Sequence, residues 1–244
     1  MLFTKKYLVN LLLIFTLCFL TAFSPNTGDC VFYFATQKGS KLEMTNYNRK
    51  GKKQNVVQLE VVDKKTVDGN VTLDIAYVYY DKKQKNVQAK GNYKAMCENG
   101  IYKFEFGAMT PVAGQKRGKN MEMKMESDYL DIPINPKAGQ KLKNGQMKLT
   151  MKAEGMPNMF KTKVTITDRK VEGLEKITTP AGTFDCVKIS HQIQIKVSFM
   201  NTKTKTVQWF AKNVGMVRSE TYNKRGKLRD TTKITFLTLF FGTI

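Results

Sequence analysis

From Phe184 to Met200 the chain alternates apolar and polar residues. Val187, Ile189, His191, Ile193, Ile195, Val197 and Phe199 share one face, and Ser190, Gln192, Gln194, Lys196 and Ser198 share the other. A period of two is the signature of a β-strand with one dry and one wet face. The same period recurs in Val71, Leu73, Ile75, Tyr77 and Tyr79, and again in Met147, Leu149 and Met151, which are interleaved with Lys148, Thr150 and Lys152. No window shows a capped apolar stripe of period 3.6. Glycine-bearing turns separate the runs: Arg49–Lys52, Asp68–Asn70, Glu98–Gly100, Lys143–Gly145 and Lys224–Lys227. The pattern predicts an all-β chain, a single antiparallel barrel or strongly curved sheet of roughly ten to twelve strands.

Two segments break the rhythm. Gly107–Asn120 is rich in Gly and Lys and holds Pro111, which predicts a loop at the barrel mouth. Asp131-Ile132-Pro133, with Pro136 beyond it, reads as an extended edge segment.

The start of the chain has a different character. Lys5 and Lys6 precede an apolar run from Tyr7 to Leu20, and Thr21-Ala22-Phe23-Ser24 follows. Such a run is shorter than the ~20 residues that span a bilayer. Its charged start and small exit residues match a secretory signal, cleaved after Ala22. The division expected is a signal peptide over 1–22 and a β-rich exported domain over 23–244, with no stable transmembrane anchor. Export points to the periplasm or cell envelope. Cys18 is a lipidation candidate, although Leu17 before it is larger than that chemistry normally accepts. Beyond the signal, Cys30, Cys97 and Cys186 remain, and an oxidising compartment permits one disulfide among them. Cys30 and Cys97 are the candidate pair, because one opens the first exported strand and the other closes a later one. The sequence alone does not fix that pairing. Cys186, within an apolar strand, reads as a small buried hydrophobe.

The formal net charge is +21, which raises the question of an anionic partner. The cations are spread over nearly every segment and only six are arginine. Nucleic-acid sites cluster Arg with aromatics, so the pattern reads as solvated strand faces and not as a nucleic-acid interface.

Catalytic motifs are missing. There is one histidine, His191, and no G-x-S-x-G, H-E-x-x-H or G-x-G-x-x-G. The chain is therefore expected to be non-enzymatic and to use no cofactor. His191, on an apolar face, reads as a neutral core histidine, with a place in a ligand cavity as the alternative. Met121, Met123 and Met125 form an M-x-M-x-M run, and thioethers suit Cu(I). At period two they read instead as an adaptable apolar wall, so no metal site is expected.

Two stretches carry a more specific signal. One is Ile177-Thr178-Thr179-Pro180-Ala181-Gly182-Thr183-Phe184-Asp185-Cys186, and the other runs from Val207-Gln208-Trp209-Phe210 to Val217-Arg218-Ser219-Glu220. Together they resemble the C-terminal signature of the TapB-like exported proteins of Gram-negative bacteria. The resemblance extends to Cys30, Gly39, Tyr47, the Arg49–Lys52 turn and Cys97, and so covers most of 30–240. It implies an exported β-fold loosely similar to periplasmic lipoprotein carriers, and it transfers no catalytic residue. The apolar end Phe236–Phe241 departs from that family's pattern. In their own right, Pro180 and Gly182 would form a tight corner, Phe184 would dock in the core and Trp209 would pack across from the long strand.

The functional expectation is an envelope protein that holds an apolar or lipid-like ligand in its curved sheet. The candidate lining residues are His191, Ile193, Ile195, Val197, Met123, Met147 and Met151. The alternative is an assembly scaffold that docks an envelope protein partner through a sheet edge.

Overall fold

Each alternating run becomes a strand. The computed structural model describes residues 31–107, 121–153 and 156–240, so the expected signal segment and Cys18 lie outside the described residues. So does all but Gly107 of the 107–120 loop. The strands are β1 (Lys41–Asn48), β2 (Lys53–Val67), β3 (Asn70–Asp81), β4 (Val87–Glu98), β5 (Ile101–Glu105), β6 (Met121–Ser127) and β7 (Tyr129–Pro133). They continue with β8 (Gly145–Ala153), β9 (Met156–Thr179), β10 (Gly182–Val197), β11 (Met200–Ala211), β12 (Gly215–Asn223) and β13 (Leu228–Thr238). The thirteen strands among the described residues slightly exceed the ten to twelve expected. Among the described residues no helix is long and apolar enough to cross a membrane.

All strands belong to one sheet in the order β6-β8-β9-β10-β11-β12-β13-β1-β2-β3-β4-β5-β7, and every pairing is antiparallel. The two terminal strands of that order, β6 and β7, are separated only by Asp128. One run of chain therefore pairs with β8 through its first half and with β5 through its second, which bends the sheet into a nearly closed barrel. Asp128 fixes the switch point. Its N–H donates to Gln146 O (3.0 Å), and its carboxylate accepts from the Gln146 N–H (2.9 Å).

At the seam β8 begins too late to cover β9 beyond Ile166, and there residues 139–142 take its place, with a bridge between Lys141 and Lys170 and backbone hydrogen bonds to Arg169 and Val171. Arg169 ties that segment to β7. Its guanidinium donates to Asp131 Oδ1 (2.7 Å), Asp131 O (2.7 Å) and Lys143 O (2.6 Å). The side chain is only 3% exposed. Three acceptors at one planar fork satisfy a charge that burial would otherwise penalise heavily.

The strand expected from Phe184 to Met200 is β10, and it ends earlier, at Val197. Ser198 takes φ +50° and turns the chain into β11. The longest strand is β9, with 24 residues. Its alternation was hidden by two irregularities opposite β10, between Lys188 and Ile189 and between Ser190 and Gln192. Each bulge adds residues on β9 and flips the phase of its pattern.

The core fills one end of the barrel. Phe32, Tyr33, Phe34 and Ala35 are all buried and run into the lumen as an irregular plug. Phe32 and Tyr33 meet the Tyr102 ring edge-on, and Phe34 meets Tyr93. Asn213 N–H donates to Phe32 O (2.8 Å) and ties the plug to the turn between β11 and β12.

On the outer face Trp209 lies across from β10 as expected, opposite Lys188. Lys188 and Arg218 lie near its ring, each 5.3 Å from the centroid. Its indole N–H donates to Glu175 (3.0 Å), which also pairs with Lys188 (3.0 Å). That indole hydrogen bond, then Lys188, hold the Glu175 carboxyl below its usual range. The Trp209 side of the sheet is thus a four-residue latch, which accounts for the W-F segment as a folding element. Phe184 packs against the core, as expected.

Cys97 is disulfide-bonded, and Cys186 is a free, buried thiol. Burial, then Asp185 and Glu175, raise the Cys186 pKa to about 12. Cys30 lies outside the described residues. If Cys30 is the partner of Cys97, a thiol reagent should label one cysteine of the exported chain in denaturant without reductant, and none in the native state. Labelling of two or more would overturn the pairing.

Candidate functional site

The plug fills one end of the lumen and leaves the other hollow. The hollow is a cavity of about 310 Å³ that opens toward the ends of β1, β3, β10 and β12. Its walls come from strands far apart in sequence. Val57 and Leu59 stand on β2, Tyr77 and Tyr79 on β3, Tyr93 on β4, Phe104 on β5, Ile166 on β9 and Ile193 on β10. Alternation accounts for each placement, since every second residue of a barrel strand faces inward. Tyr77 also needs Gly91 opposite it on β4. A methyl there would lie 2.6 Å from the Tyr77 hydroxyl oxygen, so the glycine is the space in which the ring lies.

Polar groups in the cavity are few and uncharged. Asn46 and Asn55 face each other as cross-strand partners on β1 and β2. Gln208 donates to the Met216 thioether (3.1 Å). His191, 4% exposed, stands among these walls. Its Nδ1 and the Asn46 Oδ1 are both buried without a hydrogen-bond partner in the protein. A buried polar atom left unpaired costs about 1–3 kcal/mol. Two of them in one apolar cavity fit a ligand that brings its own polar group.

Burial, then Arg169, push the His191 pKa down to about 4, so the ring is neutral at physiological pH. Burial likewise raises the Tyr79 and Tyr93 hydroxyls, which stay protonated. The cavity thus presents hydrogen-bonding groups but no charge. A testable consequence concerns pH. The folded His191 pKa lies below its unfolded value of about 6.5, so the unfolded state binds more protons between the two. Stability should be intact above pH 6.5 and fall by roughly 3 kcal/mol as pH drops toward 4. His191→Gln should flatten that dependence in urea titrations. An unchanged pH profile would show that carboxylates alone set the acid limit.

Of the residues expected to line a ligand site, the structure gathers only His191 and Ile193 at the cavity. Ile195 is 38% exposed and Val197 half-buried, beyond its mouth. Met147 is buried and Met151 half-buried on β8, outside the cavity lining. Met123 lies on β6, and its side chain is outside the described set. Tyr77, Tyr79, Tyr93 and the Asn46–Asn55 pair were not singled out from sequence. Their alternation was visible, but their convergence on one space was not. A wider groove of about 1200 Å³ crosses the outer face of β9 to β12, lined by Lys188, Lys203, Lys205 and Glu175 among others. Its walls mix those charges with Leu174, Val207 and Tyr222 and lie open to solvent.

A protein-family profile, described as DUF3108-like, matches residues 37–234. No curated protein sequence matches the chain. Two solved structures share the fold. One, from Parabacteroides distasonis and described as a lipoprotein, is 26% identical with a TM-score of 0.74. It covers 86% of this chain, and all of its own length is matched. The other, from Bacteroides fragilis and described as exported with a YmcC-like fold, is 24% identical with a TM-score of 0.73 and the same coverage.

Proposed function

The chain belongs to the DUF3108-like family, and on that footing we propose that it is an exported, non-enzymatic barrel whose lumen holds a lipid-like ligand with an uncharged polar group. One observation carries the reading: a lumen of about 310 Å³ with aromatic and aliphatic walls, into which a 96%-buried histidine presents an unpartnered nitrogen. Ligand sites are typically apolar hollows of about 300–1,000 Å³ with a few convergent polar groups. This one sits at the lower bound, suited to a single chain or ring system. Export is supported by the charged and apolar start of the sequence and by the descriptions of the two structural neighbours as exported protein and lipoprotein. The likeness of residues 177–186 and 207–220 to TapB-like exported proteins supports the same class, and the periplasm or envelope is the compartment that follows. A scaffold that docks partners through a free sheet edge has less to rest on, since the two edge strands, β6 and β7, are only seven and five residues long and each is already paired on one side.

The test is extraction of natively purified protein followed by mass spectrometry, with stoichiometry read from the intact complex. A released amphipathic molecule near one per chain supports the reading. An empty extract, together with no uptake of a fluorescent acyl probe, overturns it.

A further inference from the structure

Antiparallel pairing places one set of hairpin turns at the open end of the lumen, and three of them are the same device. Asn48, Asp81 and Asn223 each end a strand, and the side-chain Oδ1 of each accepts two backbone N–H bonds from the turn that follows. Asn48 accepts from Lys50 and Lys52 (2.9 and 3.0 Å), Asp81 from Lys83 and Lys85 (3.1 and 3.0 Å), and Asn223 from Arg225 and Lys227 (2.9 and 3.1 Å). In each, the fourth residue reaches positive φ: Gly51 at 72°, Gln84 at 57° and Gly226 at 72°. The sequence filling this turn is basic all three times: Arg49, Lys50 and Lys52; Lys82, Lys83 and Lys85; Lys224, Arg225 and Lys227. All nine cations are exposed. Among the described residues none of them meets a carboxylate in an ion pair. The tight turns at the opposite end hold one cation, Lys212, alongside Asp68 and Glu98, although the longer 134–144 connection there adds Lys137, Lys141 and Lys143.

The same open rim exposes large apolar residues. β11 runs on through Met200–Lys203 past its last pair with β12, Thr204 with Asn223. The β10–β11 hairpin therefore stands proud of its neighbour. At its tip Phe199 is 96% exposed and Met200 59%, while Val87 (51%) and Leu228 (36%) flank two of the basic turns. Along β10 the apolar face leads from His191 and Ile193 in the cavity, through Ile195, toward that tip. Basic side chains alone would suit any polyanion, and an exposed phenylalanine alone would suit any apolar partner. A row of three basic turns along one side of a projecting aromatic tip, at the mouth of an apolar lumen, combines what anionic headgroups and the acyl layer beneath them attract.

We propose that the rim formed by these three turns and the Phe199 tip docks on an anionic lipid surface, facing the mouth of the lumen toward the bilayer. The rim is built into the strands whether or not the lumen is loaded, so it stands independently of the ligand reading. Flotation of ligand-free protein with vesicles tests it, comparing phosphatidylglycerol mixed into phosphatidylcholine with phosphatidylcholine alone. Binding should require the anionic lipid and weaken with salt. Each neutralised cation near the surface should cost about fivefold in partition. The variant Lys50→Gln/Lys83→Gln/Arg225→Gln, with one change per turn, should therefore lose about 100-fold. Phe199→Ser should lose roughly tenfold through its buried ring. Both alter only exposed turn residues, and unchanged circular dichroism and urea midpoints would confirm folding. Equal binding to neutral vesicles, or no effect of the triple variant, overturns the proposal. So does a heparin competition that abolishes binding while Phe199→Ser changes nothing, since that marks a general polyanion site.

Discussion

Replacing Arg169 with methionine should cost about 3–5 kcal/mol, the range for removing one partner of a buried ion pair. Arg169 does more than neutralise Asp131. It also satisfies the carbonyls of Asp131 and Lys143 and so joins β7 to the 139–143 segment, which only an isolated bridge and a few backbone hydrogen bonds hold to β9. Methionine matches the length of the side chain but offers no donor, so those acceptors are left with whatever water reaches the seam. Asp131 is 28% exposed, which keeps the loss from exceeding that range. For a chain of this size the melting temperature should fall by about 10 °C. Arg169→Lys should recover only part of it, because an ammonium cannot reproduce the planar fork. Urea unfolding with an unchanged slope reads the difference. A loss below about 1 kcal/mol would mean that the Asp128 switch and strand pairing close the barrel unaided.

The second large effect is functional. Ile193→Trp should abolish uptake of an acyl probe, with affinity down more than tenfold, while stability falls by only about 1–3 kcal/mol from overpacking. Ile193 faces the cavity from β10 and is half-buried there, packed against the core from its open side. An indole at that position has free volume to occupy, and it is the volume a ligand would use. A control at Ile195, 38% exposed beyond the mouth, should bind the probe normally when changed to Trp. Retained uptake by the Ile193 variant would place the ligand elsewhere or remove it altogether.

The sequence was most legible where a strand keeps strict phase. The runs at 71–79, 147–151 and 187–193 announce inward and outward faces, and those faces stand as read. It was misleading beyond Ile193, where Ile195 and Phe199 continue the apolar period yet stand in solvent. Alternation records which side of the strand a residue occupies, not whether anything lies on that side. The hairpin outruns β12 on one side, although β9 continues beside it on the other, so its dry face has no opposite wall. Legibility failed for β9, whose bulges flip the phase at the level of His191 and Arg169. Those are the two residues on which the site and the seam depend.

By itself, then, the sequence determined the fold class, four of the hairpin turns (Lys143–Gly145 instead ends the connection from β7 to its non-neighbour β8), the absence of any recognisable catalytic motif and the candidacy of His191 for a cavity. These follow from local rules: side-chain period, glycine at positive φ and the chemistry a single histidine can support. Only the tertiary structure decided that the run 121–133 divides between two partners and nearly closes the sheet, that Phe32–Ala35 plugs one end, and that three similar basic turns share one rim with Phe199. Each of these depends on which strands meet across the barrel. That is settled by cooperative packing of residues distant in sequence, and no local pattern encodes it.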